Sequence, residues 1–171
     1  MRVVVDANIA KAAGHAKPGA GPPGPVAVEA LAAVERGGHH VAMGPRLKAE
    51  WDRHAQHHAM KWLGAMIARK RWVHLPDDAW DGETALLAAV EALPGDQAAA
   101  VAKDAHLVAL AMRTDRRVLS FDAKQRELLR GLNDVKKLLA GLHWADPRAA
   151  GVLAWVEAGA WANPSLTVAG S

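Results

Sequence analysis

The chain has 171 residues, enough for one domain with a full core, and its 51% apolar content excludes a disordered polypeptide. A formal net charge of +3 permits a nucleic-acid partner without requiring one, and the lack of cysteine excludes disulfides, thiolate metal sites and cysteine catalysis. The N-terminus lacks the pattern of a signal peptide and no apolar run is long enough to span a bilayer, so a cytoplasmic protein with no membrane partner is expected.

Residues 2 to 5, Arg2-Val3-Val4-Val5, read as a buried strand that stops on Asp6. The Pro/Gly-rich stretch 17–25 reads as a loop. Val28, Leu31 and Val34 share one face of a helix over Val26–Arg36, which Gly37-Gly38 stops. His40–Met43 is a second strand. Pro45 opens one long helix running to about Arg69, since proline suits a first helical turn. A short strand over 72–75 follows. Asp77 and Asp78 then cap a helix to about Leu93, ended by Pro94-Gly95.

Asp96 or Gln97 begins the next helix, to near Arg113, and its part Leu107–Met112 is apolar all round, as in a buried helix. After a turn at 114–117, Val118–Phe121 is a strand that stops on Asp122. Lys124–Leu132 reads as a charged helix, Leu138–Trp144 as holding a last strand, and Pro147–Ala160 as a terminal helix. Strands alternate with helices throughout. That order predicts an α/β fold, a three-layer α/β/α sandwich around a central, mainly parallel sheet. The expected division is a domain over 1–146 and a helical extension and tail over 147–171.

Ligands gather at the carboxyl ends of strands in such sheets. Asp6 and Asp122 both belong there. Asp104 shares a helix face with Leu107 and Val108, and an Asp on a face that buries itself needs a partner or a metal. Glu50 has Arg46, Arg53 and His54 on its side of the helix, which can pair with it or hold phosphates. Crowded carboxylates repel unless protonated or bridged by a cation. The four acids therefore point to a divalent-metal site and to phosphoryl chemistry. Taken singly, Asp6 or Asp122 can equally be a helix cap.

Three segments in order carry a family resemblance. Val3-Val4-Val5-Asp6-Ala7-Asn8, Asp104-Ala105-His106-Leu107-Val108-Ala109 and Val118-Leu119-Ser120-Phe121-Asp122 resemble the acidic motifs of PIN-domain nucleases, the family that includes VapC-type toxins. Glu50 falls at about the distance of the family's second acid. The resemblance covers roughly residues 1 to 145. It implies Mg²⁺ or Mn²⁺ at Asp6, Glu50, Asp104 and Asp122 as metal and catalytic residues. It also implies hydrolysis of single-stranded or structured RNA, and Asn8 and Ser120 as donors that hold the carboxylates in place. Where many members carry a further acid or Asn, Ala123-Lys124-Gln125 follows Asp122, which implies one tightly held ion and a second only with substrate. A homodimer is a common state in the family. A toxin held by an antitoxin protein and a free-standing RNA-processing enzyme both stay open. So does a non-catalytic RNA-binding or scaffold protein on a PIN-like fold.

Other features weigh less. Val5 and Ala7 flank Asp6, so the acidic pair of a receiver-type switch is missing, as is the second Asp of a haloacid-dehalogenase-type phosphatase. His54 and His58 have the i, i+4 spacing of a zinc pair, but Ala55 stands where such motifs carry Glu, so a solvated or RNA-facing surface is expected. The basic clusters Arg69-Lys70-Arg71 and Arg113–Arg117 read as charged helix ends. Trp51, Trp62 and Trp155 read as core or dimer contacts.

Overall fold

The computed structural model describes residues 1–14, 23–76 and 80–169. Five strands form one sheet: β1 (Arg2–Val5), β2 (His40–Met43), β3 (Trp72–His74), β4 (Arg117–Leu119) and β5 (His143–Ala145). Their spatial order is β3-β2-β1-β4-β5 and every pairing is parallel. β1 is central, with Val4 opposite both Ala42 and Val118, and Val3, Val4 and Val5 are buried. A strand paired on both edges and covered on both faces must be apolar along its length, which the Val run supplies.

Among the described residues eight α-helices cover the sheet: α1 (Ala7–Ala13), α2 (Gly24–Arg36), α3 (Pro45–His54), α4 (His57–Ala68), α5 (Glu83–Glu91), α6 (Gly95–Met112), α7 (Ala123–Gly131) and α8 (Val152–Glu157). α1, α2, α4 and α8 pack together, with α2 against β2 and α4 against β3. α5, α6 and α7 pack together, with α6 against β1 and β4. The result is the expected three-layer sandwich. In α6 Leu107, Val108, Leu110 and Ala111 are buried, as the apolar stretch predicts. No helix among the described residues is long and apolar enough to cross a membrane.

Several boundaries differ from the sequence reading. The helix expected from Pro45 to Arg69 is two helices, broken at Ala55 and Gln56, both in extended backbone. The break lets Trp51 and Trp62 stack at 5.9 Å between ring centroids. In one straight helix, residues eleven apart would lie about 16 Å apart along the axis. Gln56 at the break lies against Gly14, where a Cβ would come within 1.9 Å of its side chain, so only glycine fits there. The break also places His54 and His58 on different helices, which ends their reading as a single-helix zinc pair.

α2 starts at Gly24, two residues earlier than expected. Pro25 falls in its first turn, where a missing N–H costs nothing. The rest of the Pro/Gly stretch, 17–22, and the expected caps Asp77 and Asp78 lie outside the described residues. β4 ends at Leu119 rather than Phe121, and α8 is shorter than the expected 147–160 helix.

The segment from 147 onward packs on the same core, burying Val152, Val156, Leu166, Val168 and Ala169. Thr167 bridges to His143, and Val168 N–H donates to Leu142 O at 2.8 Å, so the outer edge of β5 is partly covered. Trp51 and Trp62 are core residues, and Trp155 packs on the core from its edge. The basic clusters are tied into the fold. Arg69 pairs with Glu35 at 3.0 Å, Arg113 donates to Pro76 O at 2.6 Å and Arg116 to Ala140 O at 2.6 Å. Arg117, expected as part of a charged helix end, is instead a buried residue at the start of β4. It donates to Ala160 O at 2.6 Å and anchors the C-terminal segment.

Two buried histidines make stability depend on pH. His39 Nε2 lies 2.7 Å from Val156 O, and His143 Nε2 accepts from Asn163 N–H at 2.9 Å while its ring stacks on Trp155. Burial is the main cause that lowers both imidazoles below their ordinary value, with Arg117 adding to it at His143. The unfolded chain therefore takes up protons first as pH falls through about 6.5, and stability falls with it. In an Asp104→Asn background, which removes a carboxyl titrating in the same range, melting curves should move down from pH 7.5 to 6, and adding His143→Gln should flatten that slope.

Candidate active site

The site lies at the carboxyl ends of the two central strands. β1 ends at Val5, and Asp6 caps α1, its Oδ1 accepting from Asn8 N–H at 3.1 Å. β4 ends three residues before Asp122, which caps α7 by accepting from Gln125 N–H at 2.8 Å. Both Asp residues are thus helix caps, and both also face the site. Capping and site roles are compatible because each carboxylate oxygen has two lone pairs and a cap bond uses one of the four.

Ser120 joins the two strand ends. Its hydroxyl donates to Asp6 Oδ2 at 2.6 Å and accepts from Asn8 Nδ2 at 3.1 Å and from Asp122 N–H at 3.0 Å. Asn8 Oδ1 accepts from Phe121 N–H at 3.3 Å, and Asp6 N–H donates to Leu119 O at 3.0 Å. The structure therefore brings Asn8 and Ser120 together with Asp6 and Asp122. Two buried indoles complete the frame: Trp51 Nε1 donates to Val5 O at 2.9 Å and Trp144 Nε1 to Asp122 O at 3.0 Å. Each satisfies a carbonyl at or beyond a strand end that no ladder partner reaches.

Asp6, Glu50, Asp104 and Asp122 line one cavity of about 300 Å³, with Lys11, Arg53, His54 and Lys103 at its rim. Asp104 comes from α6 and Glu50 from α3, so four elements converge. Desolvation is the largest cause that raises Asp6 above the ordinary carboxylate range, with Glu50 adding to it and Ser120 and Asn8 opposing it. Desolvation, then the charge of Asp6, raises Asp104 to about 6, with Asp122 and Glu50 adding smaller repulsion.

Glu50 is held differently. Arg46 Nε lies 3.7 Å from its Oε1, and His106 Nε2 lies 3.3 Å from its Oε2, an ion-pair distance without hydrogen-bond alignment. Arg46 does not line the cavity, whereas Arg53 and His54 do.

The donor set, carboxylate oxygens with hydroxyl and amide support, is that of a hard divalent cation. The burial and the neighbouring acids that raise Asp104 both disfavour its charged form, which such a cation would stabilise. Among the described residues, however, no three His, Asp or Glu side chains converge closely enough to enclose an ion by themselves. Sequence reasoning missed Lys11, Lys103 and His106. Lys11 is five residues beyond Asp6, and Lys103 and His106 stand at i−1 and i+2 from Asp104, spacings that helical periodicity from the named acids does not pick out.

No protein-family model matches the chain, and no curated protein or solved structure matches it.

Two substitutions test the arrangement. Ser120→Ala strands a buried Asp6 oxygen and two N–H donors, and should cost about 1–3 kcal/mol in denaturant unfolding. Asp104 has a raised folded-state pKa, so its contribution is most favourable below about pH 4 and is lost as pH rises through about 6. In chelator, Asp104→Asn should therefore be the more stable protein at pH 7.5, by about 1–2 kcal/mol after allowing for solvent screening. The difference should disappear near pH 4.

Proposed function

We propose that the chain is a PIN-like, divalent-metal-dependent endoribonuclease that hydrolyses phosphodiester bonds of single-stranded RNA. The observation that carries the reading is the convergence of Asp6, Glu50, Asp104 and Asp122 on one cavity, in the order and on the elements that the resemblance implies. Asp6, Asp104 and Asp122 would hold Mg²⁺ or Mn²⁺, directly or through water, with Glu50 as a further ligand or as the group that orients the attacking water. When bound, the cation supplies charge neutralisation at the phosphate and a more acidic water.

The remaining work falls to the protein. Ser120 and Asn8 keep Asp6 aimed and oppose the upward pull of burial on its carboxyl. Arg53, Lys103 and His54 line the same cavity and can take a phosphate oxygen. A strand of RNA is the fitting substrate because it can lay a flexible backbone across an open rim of both charges. Whether an antitoxin protein or a second copy of the chain covers this site belongs to the same proposal.

One observation favours a second reading, a non-catalytic RNA-binding or scaffold protein on the same fold: no three ligand side chains among the described residues enclose an ion unaided. Mg²⁺ commonly keeps several waters and is held by one or two carboxylates, so the first reading accommodates that spacing. The test is cleavage of labelled single-stranded RNA by purified protein. Cleavage should require Mg²⁺ or Mn²⁺, and Asp6→Asn or Asp122→Asn should abolish it. Millimolar Mn²⁺ should also raise the wild-type melting temperature, because the ion binds only the folded site. Undiminished cleavage in excess chelator, or no metal-dependent cleavage or stabilisation at all, would overturn the reading.

A further inference from the structure

Among the described residues the Glu50 carboxylate, like that of Asp104, has no main-chain anchor. Asp6 and Asp122 accept cap hydrogen bonds from main-chain N–H groups. Glu50 sits inside α3, and its contacts among the described residues are with two side chains, Arg46 and His106. Arg46 is one helical turn earlier. Its Nε lies 3.7 Å from Glu50 Oε1, and its terminal nitrogen donates to the carbonyl of Lys103 on α6 at 2.7 Å. The same carbonyl lies 3.2 Å from His106 Nδ1. One backbone oxygen beside Asp104 thus receives both side chains that touch Glu50.

We infer that Arg46 is a positioning residue for Glu50: a strap from α3 to α6 that aims the carboxylate into the cavity. Three points favour this over a phosphate-binding role, and the inference rests on the nuclease reading above. First, Arg46 does not line the cavity, although Arg53 and His54 from the same helix do. Second, its guanidinium is already directed at a carbonyl and a carboxylate, so a phosphate would have to displace them. Third, an exposed i, i+4 ion pair contributes little to folding, which leaves geometry as its main effect. A planar guanidinium can reach two acceptors at once in a fixed fork, and a lysine ammonium cannot hold the same geometry. Arg46→Lys should therefore behave like a loss and not like a conservative change.

The experiment compares wild type, Arg46→Gln, Arg46→Lys and Arg53→Gln. Mn²⁺ affinity is read by electron paramagnetic resonance. Binding of labelled single-stranded RNA in chelator is read across a salt series, and cleavage kinetics at saturating Mn²⁺. With Arg46 as a strap, both Arg46 variants weaken Mn²⁺ binding severalfold and lower kcat at least tenfold. KM, the RNA salt slope and the metal-free melting temperature stay at wild-type values. Arg53→Gln supplies the contrast, with a salt slope lower by about one and a raised KM. Arg46 variants that instead reproduce the Arg53→Gln pattern, or that match wild type in Mn²⁺ affinity and kcat, overturn the inference alone. A wild type with no Mn²⁺ affinity overturns the nuclease reading and the inference with it.

Discussion

The Ser120 hydroxyl is the contact on which the site depends. It donates to Asp6 and accepts from Asn8 and from the main chain of Asp122, so one oxygen fixes the ends of both central strands. Parallel strands do not connect through tight turns, and β1 and β4 are separated by more than a hundred residues. Their ladder pairs Val5 with Leu119 and a last main-chain bond runs from Asp6 N–H to Leu119 O, but it stops short of Asp122. Beyond it, the relative placement of Asp6 and Asp122 falls to Ser120 and to the indoles of Trp51 and Trp144. A buried hydroxyl with all its bonding capacity used is a rigid joint, because any movement leaves a donor or acceptor unpaired.

That joint works against the electrostatics. Burial raises Asp6, and burial together with Asp6 raises Asp104. The folded chain thus concentrates negative charge where solvent screens it least. Cap hydrogen bonds and the Ser120 contact offset part of the cost at Asp6, while at Asp104 the charge of Lys103 is the opposing influence and the carboxyl still rises to about 6. The basic rim of Lys11, Arg53 and Lys103 supplies opposite charge at the mouth of the cavity. A fold that holds Asp6 and Asp104 with raised carboxyls in one cavity gives up stability at neutral pH. Under the proposed reading, a bound cation recovers it.

How much of this was legible follows physical lines. β2 was legible residue for residue, because His40–Met43 is a short apolar run bounded by Gly37-Gly38 and Gly44-Pro45. The burial of β1 followed from three consecutive valines, and its central position came only with the sheet order. The break between α3 and α4 was not legible, because no glycine or proline marks it: Ala55 and Gln56 are ordinary helix residues. A tertiary contact decides it, the stacking of Trp51 on Trp62 with Gln56 seated against Gly14. The burial of Arg117 was hidden for the same reason, since its acceptor, Ala160 O, lies 43 residues away. At the site, Asp6 and Asp122 were readable because they sit at the ends of apolar runs, whereas Asn8 and Ser120 came from the family resemblance. Local pattern shows where such a run stops, and in a parallel sheet that is where ligands gather.

Glu50 shows the limit of that logic from the other side. Its surroundings in sequence are those of any surface helix, and nothing local distinguishes it from Glu29 or Glu35. What distinguishes it is the packing of α3 against α1 and α6, with Trp51, the next residue, fully buried and bonded to Val5 O. Trp51 thereby anchors α3 to the end of β1, and Glu50 is carried to the cavity as its neighbour. The backbone of α3 is fixed by that indole, but the long Glu50 side chain still has several rotamers open to it. The anchored helix brings the carboxylate near, and Arg46, itself bonded to the Lys103 carbonyl, restricts which way it points. Placement of this fourth acid is therefore a two-stage affair, with an apolar core contact setting position and a charged surface contact setting direction.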